Sequence, residues 1–135
     1  MEHALILETT FLIDFERERH GGVDGPATDL LHEYADYRLF ITPTVAGELA
    51  AGKSLSERIR WQEFIAPFRI LATTLDVAWE YGKAFQYLQR NGISIGANDL
   101  WIAATGLAYD VPVVTRNASH YRRVPGLRIV STDGR

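Results

Sequence analysis

The chain has 135 residues, no cysteine and a formal net charge of −3. That length fits one domain, able to remove roughly two thirds of the unfolded chain's surface from water. The missing cysteines exclude disulfides and thiolate metal sites, and the acidic balance argues against nucleic-acid binding by bulk charge.

Residues 4–7, Ala-Leu-Ile-Leu, read as a buried strand, and residues 10–19 as a helix. "HGGVDGP", 20–26, is a turn, and Pro26 opens a helix over 26–36. A short strand is predicted at 38–42. A helix at 43–52 has Pro43 at its start and Gly52 at its end. "SLSERIRWQEFIAPF" opens with Ser54 and Glu57 at capping-box spacing. Its Ile59, Trp61, Phe64, Ile65 and Phe68 suit core packing, or a groove for a partner helix or dimer contact. Next come a strand at 69–72 and a helix at 76–89 with Val77, Tyr81, Phe85 and Leu88 on one face. Residues 98–110 form a helix too apolar for a surface position. A strand at 111–115, a short helix capped by Asn117 and a strand at 127–130 complete the pattern. Short apolar strands separated by helices indicate an α/β fold: a parallel sheet with helices on both faces. In such sheets ligands bind beyond the carboxyl ends of the strands.

No apolar run approaches the ~20 residues a membrane helix needs. "MEHALIL" lacks a basic region and a small-residue cleavage site, so no signal peptide is read there. The expectation is a cytoplasmic protein without a membrane. Residues 116–128 hold four arginines, one histidine and no acid. That is a local basic patch on an acidic chain, or a solvated surface segment.

Three acids stand out. Glu8 ends the first core strand. Glu48 sits among Thr44, Val45, Ala51 and Gly52 on its helix. Burying such a carboxylate costs several kcal/mol unless it finds a partner, and an arginine is the ordinary one. Asp99 opens the most apolar helix, where an acid also serves amide donors and the helix dipole. If the sheet is parallel, all three face one pocket. Three carboxylates without a lysine suit Mg²⁺ or Mn²⁺, which prefer oxygen ligands and serve phosphoryl chemistry. Other chemistries fit less well. GxxxxGK[ST], GxGxxG and GxSxG are absent. His3, His20, His32 and His120 show no close zinc spacing. The first three read as surface residues, and Asp14 as solvated.

"LILETTFLIDF", "ITPTVAGELAAG" and "SIGANDLWIAATGLAYDVPVVTRNASHYRRVPGLRIV" together resemble the PIN domain, in particular the VapC-type toxins of prokaryotic toxin–antitoxin pairs. The resemblance spans residues 4 to 130. Its most specific part is the "ANDLWIAA" helix followed by the "VVTRN" strand end. It implies a three-layer α/β/α fold with a central, mainly parallel sheet, as a single domain over 1–135. It implies a metal-dependent endoribonuclease, usually a homodimer, blocked by a small VapB-like antitoxin. By position Glu8, Glu48 and Asp99 match the three metal-site acids. Thr9, Thr10, Thr115 and Asn117 match the polar residues around them.

Two departures mark this chain. The family usually has aspartate where this chain has Glu8, and the extra methylene carries the carboxylate ~1.5 Å further. Either the ligation has adjusted or activity is reduced, because Mg²⁺ demands near-ideal octahedral distances. Many relatives carry a fourth acid where this chain has His120, which can bind Mn²⁺, act as a base, contact phosphate when protonated, or simply lie on the surface.

The expectation is thus an RNA-cleaving hydrolase with Arg116, Arg122 and Arg123 holding RNA phosphates. The alternative is a catalytically weakened module of the same fold that binds RNA or an antitoxin. A third reading keeps the acidic site and changes the substrate to single-stranded DNA or a flap.

Overall fold

The apolar run Ala4-Leu5-Ile6-Leu7 forms the centre of the molecule. The computed structural model describes residues 1–132; residues 133–135, the end of the expected domain, lie outside the described residues. Strand β1 (Ala4–Leu7) is buried along its whole length, as expected for a parallel strand covered on both faces. It pairs in parallel with β2 (Arg38–Ile41) and with β4 (Val113–Thr115). β3 (Arg69–Ile70) lies outside β2, and β5 (Ile129–Ser131) outside β4. Every pairing among the described residues is parallel.

Helices α1 (Thr9–Gly21) and α2 (Pro26–Glu33) join β1 to β2. α3 (Pro43–Ala51), a 3₁₀ turn (Lys53–Leu55) and α4 (Arg58–Ile65) join β2 to β3. α5 (Leu75–Arg90) and α6 (Ala97–Tyr109) return the chain to β4, and the one-turn α7 (Ala118–Tyr121) precedes β5. The chain moves outward from β1 to β3, then back across to β4. Right-handed crossovers therefore lay the two sets of helices on opposite faces. The expected α/β/α architecture holds, with an all-parallel sheet. The strand order reverses between β1 and β4, which opens a crevice at their carboxyl ends.

Several boundaries differ from expectation for local reasons. The Ser54–Glu57 capping box does not form: Ser54 lies within the 3₁₀ turn, and Glu57 flanks α4 without a side-chain cap bond. Leu55 is buried, which draws that segment inward before α4 can start. The strand expected from 111 starts at Val113, because Val111 N–H donates back to Gly106 O and Pro112 has no N–H. α2 stops at Glu33, where Tyr34 leaves helical geometry. Thr74 caps α5 by accepting from Val77 N–H. Asn117 precedes α7 but gives it no side-chain bond; its carbonyl accepts from the His120 and Tyr121 amides instead. In the α4 segment Phe64 and Phe68 are buried, Trp61 and Ile65 are partly so, and Ile59 alone of the five lies open at 70% exposure. Trp61 Nε1 donates to Ala46 O at 2.9 Å, tying α4 to α3. His3, His20 and His32 are exposed, as expected. Among the described residues no helix is long and apolar enough to cross a membrane.

Two positions hold the frame. Glu18 accepts from the amides of Gly25, Ala27 and Thr28 and from the Thr28 hydroxyl. It thereby satisfies the open amides at the start of α2. Desolvation pushes its pKa up, but those four donors outweigh it and hold it below the ordinary carboxylate value. A lowered folded pKa gives stability that is present above the unfolded pKa and lost as pH falls through the folded one. Glu18→Ala is expected to cost about 1 kcal/mol, read by urea unfolding at neutral pH, with the gap closing in acid. A gap unchanged by pH would contradict the carboxylate's role.

Gly106 lets α6 approach β4. A Cβ there would meet Leu127 Cδ1 at 2.8 Å, Val113 Cγ2 at 3.0 Å and Val111 O at 3.1 Å. Gly106→Ala is expected to destabilise by about 1–2 kcal/mol, overpacking outweighing alanine's better helix propensity. A variant at least as stable as wild type would refute this.

Candidate active site

Glu8 follows β1 at the crevice and is only 2% exposed. It is also the N-cap of α1, so its carboxylate folds back onto the helix start. Its Oε1 accepts from Thr10 N–H at 2.9 Å, from Thr10 Oγ1 at 2.5 Å and from Thr115 Oγ1 at 2.8 Å. Each hydroxyl is itself aligned by an amide. Arg116 N–H donates to Thr10 Oγ1, and Asn117 N–H to Thr115 Oγ1. Burial raises the Glu8 pKa above its ordinary value; Thr10 and Thr115 pull it back, and Asp99 raises it further.

The other acids come from separate elements. Asp99 is in the first turn of α6, half-buried. Its expected service to amide donors is replaced by two side chains. Tyr121 OH donates to Asp99 Oδ1 at 3.1 Å, and His120 Nε2 lies 3.0 Å from Asp99 Oδ2. Tyr121 OH also reaches Glu8 Oε2 at 3.3 Å, so one phenol bridges two carboxylates. Tyr121 is fully buried. Burial, with the charges of Glu8 and Asp99 added, pushes its pKa far above the ordinary phenol value, so it stays a donor. Glu48, half-buried on α3, accepts from Thr9 Oγ1 at 2.5 Å and from Asn98 Nδ2 at 3.3 Å. The arginine pairing considered for Glu48 is not made among the described residues.

Thr9, Thr10, Thr115 and His120 thus touch the acids. Asn117 contributes its amide rather than its side chain. The sequence reading missed Asn98, although it precedes Asp99 in the same helical turn. It also missed Tyr121 as a hydroxyl donor. A phenol tip on an otherwise apolar position was the available signal.

Asp14 corrects an expectation. It is not simply solvated: its Oδ2 accepts from Arg116 Nε at 2.8 Å, and Arg17 lies 3.7 Å away. α1 packs against β4, which brings the residue after β4 over the second turn of α1. Arg123 donates to Ser94 O, and Arg122 and Arg123 are exposed.

Residues 5–127 match the PIN domain family. The chain belongs to that family. It is 30% identical over 137 residues to Ribonuclease VapC of Rickettsia bellii, covering 95% of this chain and 96% of that one. It is 25% identical over 130 residues to Ribonuclease VapC1 of Haemophilus influenzae strain R2866, covering 91% and 93%. Its fold matches the crystal structure of DNA-bound VapBC from Salmonella typhimurium with a TM-score of 0.82 at 24% identity, covering 96% and 98%. VapBC2 from Rickettsia felis, bound to a promoter DNA fragment, matches at 0.80 and 22%, covering 95% and 98%.

The candidate donor set of this PIN domain is three carboxylates with hydroxyl and amide partners and the His120 imidazole, and three carboxylates fit a hard, oxygen-seeking ion. As the side chains stand, no three His, Asp or Glu residues among those described could hold one ion together. Mg²⁺ needs no such cage. It keeps several waters and takes one or two carboxylates directly, so the donors fit with water completing the shell.

Proposed function

We propose that this PIN domain, residues 1–135, is a cytoplasmic VapC-type toxin: an endoribonuclease that hydrolyses RNA phosphodiester bonds with Mg²⁺ or Mn²⁺. The observation that carries the reading is that three acids from separate segments gather at one strand-order reversal: Tyr121 joins Glu8 to Asp99, and Glu48 bonds the residues next to them in sequence, Thr9 and Asn98. Glu8, Glu48 and Asp99 would hold the ion. When bound, it would supply an activated water and stabilise charge on the leaving oxygen.

The chain's own residues do the rest. Thr10 and Thr115 fix one oxygen of Glu8, Thr9 and Asn98 orient Glu48, and His120 holds Asp99. Arg116, Arg122 and Arg123 take RNA phosphates around this centre. Asp14 bonds Arg116 through its Nε, and the terminal nitrogens of Arg116 would take the phosphate.

A VapB-like antitoxin is the proposed inhibitor, and a homodimer the proposed assembly. A groove of about 600 Å³ supports the antitoxin reading: Ile13, Leu49 and Leu55 give it apolar walls, and Glu48 borders it. A segment lying there would reach Glu48.

The test is cleavage of structured RNAs by metal-stripped protein, with Mg²⁺ or Mn²⁺ added back. Cleavage that returns with the ion and is suppressed by the antitoxin is expected. RNA binding without cleavage under either ion would favour the weakened module instead. Cleavage confined to single-stranded DNA or flaps would move the substrate.

A further inference from the structure

We propose that Tyr121 is a positioning residue whose buried hydroxyl bridges the Glu8 and Asp99 carboxylates and orients them for a divalent ion, and that it does so because residue 8 is a glutamate. This role rests on the metal-dependent reading above.

The geometry carries the inference. Tyr121 is fully buried, and a phenylalanine would fill the same volume. Its hydroxyl contacts two groups, Glu8 Oε2 at 3.3 Å and Asp99 Oδ1 at 3.1 Å. A phenol has one proton to donate, so the two acids share it. Glu8 Oε1 is already committed to Thr10 and Thr115. Tyr121 therefore supplies the remaining orientation of that carboxylate, on Oε2. It also supplies the only direct side-chain link between Glu8 and Asp99 among the described residues. An aspartate at residue 8 would withdraw its carboxyl by ~1.5 Å. That stretches a 3.3 Å contact beyond hydrogen-bonding reach. The extra methylene and the hydroxyl thus act as a pair, and α7 carries the phenol.

The experiment is a double-mutant cycle on Mn²⁺ affinity, read from the free-ion electron paramagnetic resonance signal. It compares wild type, Tyr121→Phe, Glu8→Asp and the double variant, each checked for folding by circular dichroism. In the wild-type background Tyr121→Phe is expected to weaken Mn²⁺ binding by on the order of 10–100-fold. In the Glu8→Asp background the same change is expected to alter affinity by less than about threefold, because the partner oxygen has withdrawn. Equal losses in both backgrounds would mean a general packing defect and overturn the pairing. Unchanged or tighter binding by Tyr121→Phe would overturn the positioning role. Absence of Mn²⁺ binding by wild type would overturn the metal reading, and this role with it.

Discussion

Asp99→Asn is expected to remove RNA cleavage while leaving the fold in place. Losing one charged ligand forfeits several kcal/mol of charge stabilisation, roughly a 10²–10⁴-fold drop in kcat/KM. The amide keeps the shape of the carboxylate and still accepts from Tyr121 through its oxygen. It loses the charge, and its nitrogen cannot accept from His120. The measurement is initial rates on one structured RNA at saturating Mn²⁺, with thermal melts of both proteins beside it. Activity within a few-fold of wild type would remove Asp99 from the chemistry. A collapse of melting temperature together with activity would make its role structural.

Glu8→Gln is expected to separate stability from activity with opposite signs. Glu8 is buried, and desolvation raises its pKa above the ordinary 4.5, against the pull of Thr10 and Thr115. The sign follows from linkage. A raised folded pKa means the native state holds this proton more tightly than the unfolded chain. The stability gained is full below the unfolded pKa and is lost as pH rises through the folded one. Without metal, burial makes the charged form of this carboxylate the costly one. Glutamine keeps an oxygen for Thr10 and Thr115 and turns its nitrogen into a donor for the Tyr121 oxygen. The variant is therefore expected to be more stable by about 1–3 kcal/mol in metal-free urea unfolding at pH 7–8. The gain should shrink as pH falls toward 4.5, the value that Glu8 starts from. Cleavage should be lost with the ligand's charge. A metal-free Glu8→Gln protein less stable than wild type at pH 7–8 would show that Glu8 is retained for folding.

These contrasts show what the residue order makes legible. β1 reads directly, because a four-residue apolar run bounded by an acid has few other uses in an α/β chain. α6 reads equally well, being apolar on every side and opened by Asp99. The three acids are visible because each breaks a local rule: a charge at a core strand end, in an apolar helix, or at the start of a buried one. The edge strands expected at 69–72 and 127–130 form at Arg69–Ile70 and Ile129–Ser131, and it is their ends that read poorly. β3 is two exposed residues at the sheet margin, where no burial pattern forms. The Asp14–Arg116 pair is illegible because its members lie 102 residues apart, and only the packing of α1 on β4 joins them. Tyr121 hides for another reason. On a pattern it is one more aromatic, and the meaning of its hydroxyl depends on which carboxylates the fold brings beside it.

The position of Glu8 in that network also bears on why a glutamate stands where the family resemblance leads one to expect an aspartate. The longer side chain does not lie idle in the crevice. It reaches two threonines with one oxygen and a phenol with the other.

The most direct test of the central claim is the anomalous scattering of Mn²⁺ soaked into crystals of the chain. One ion bound among Glu8, Glu48 and Asp99, with at least one of these carboxylates in its inner shell and its peak lost in Asp99→Asn crystals, is the predicted result. A fully occupied Mn²⁺ elsewhere on the molecule, with no peak among these three acids, would contradict it.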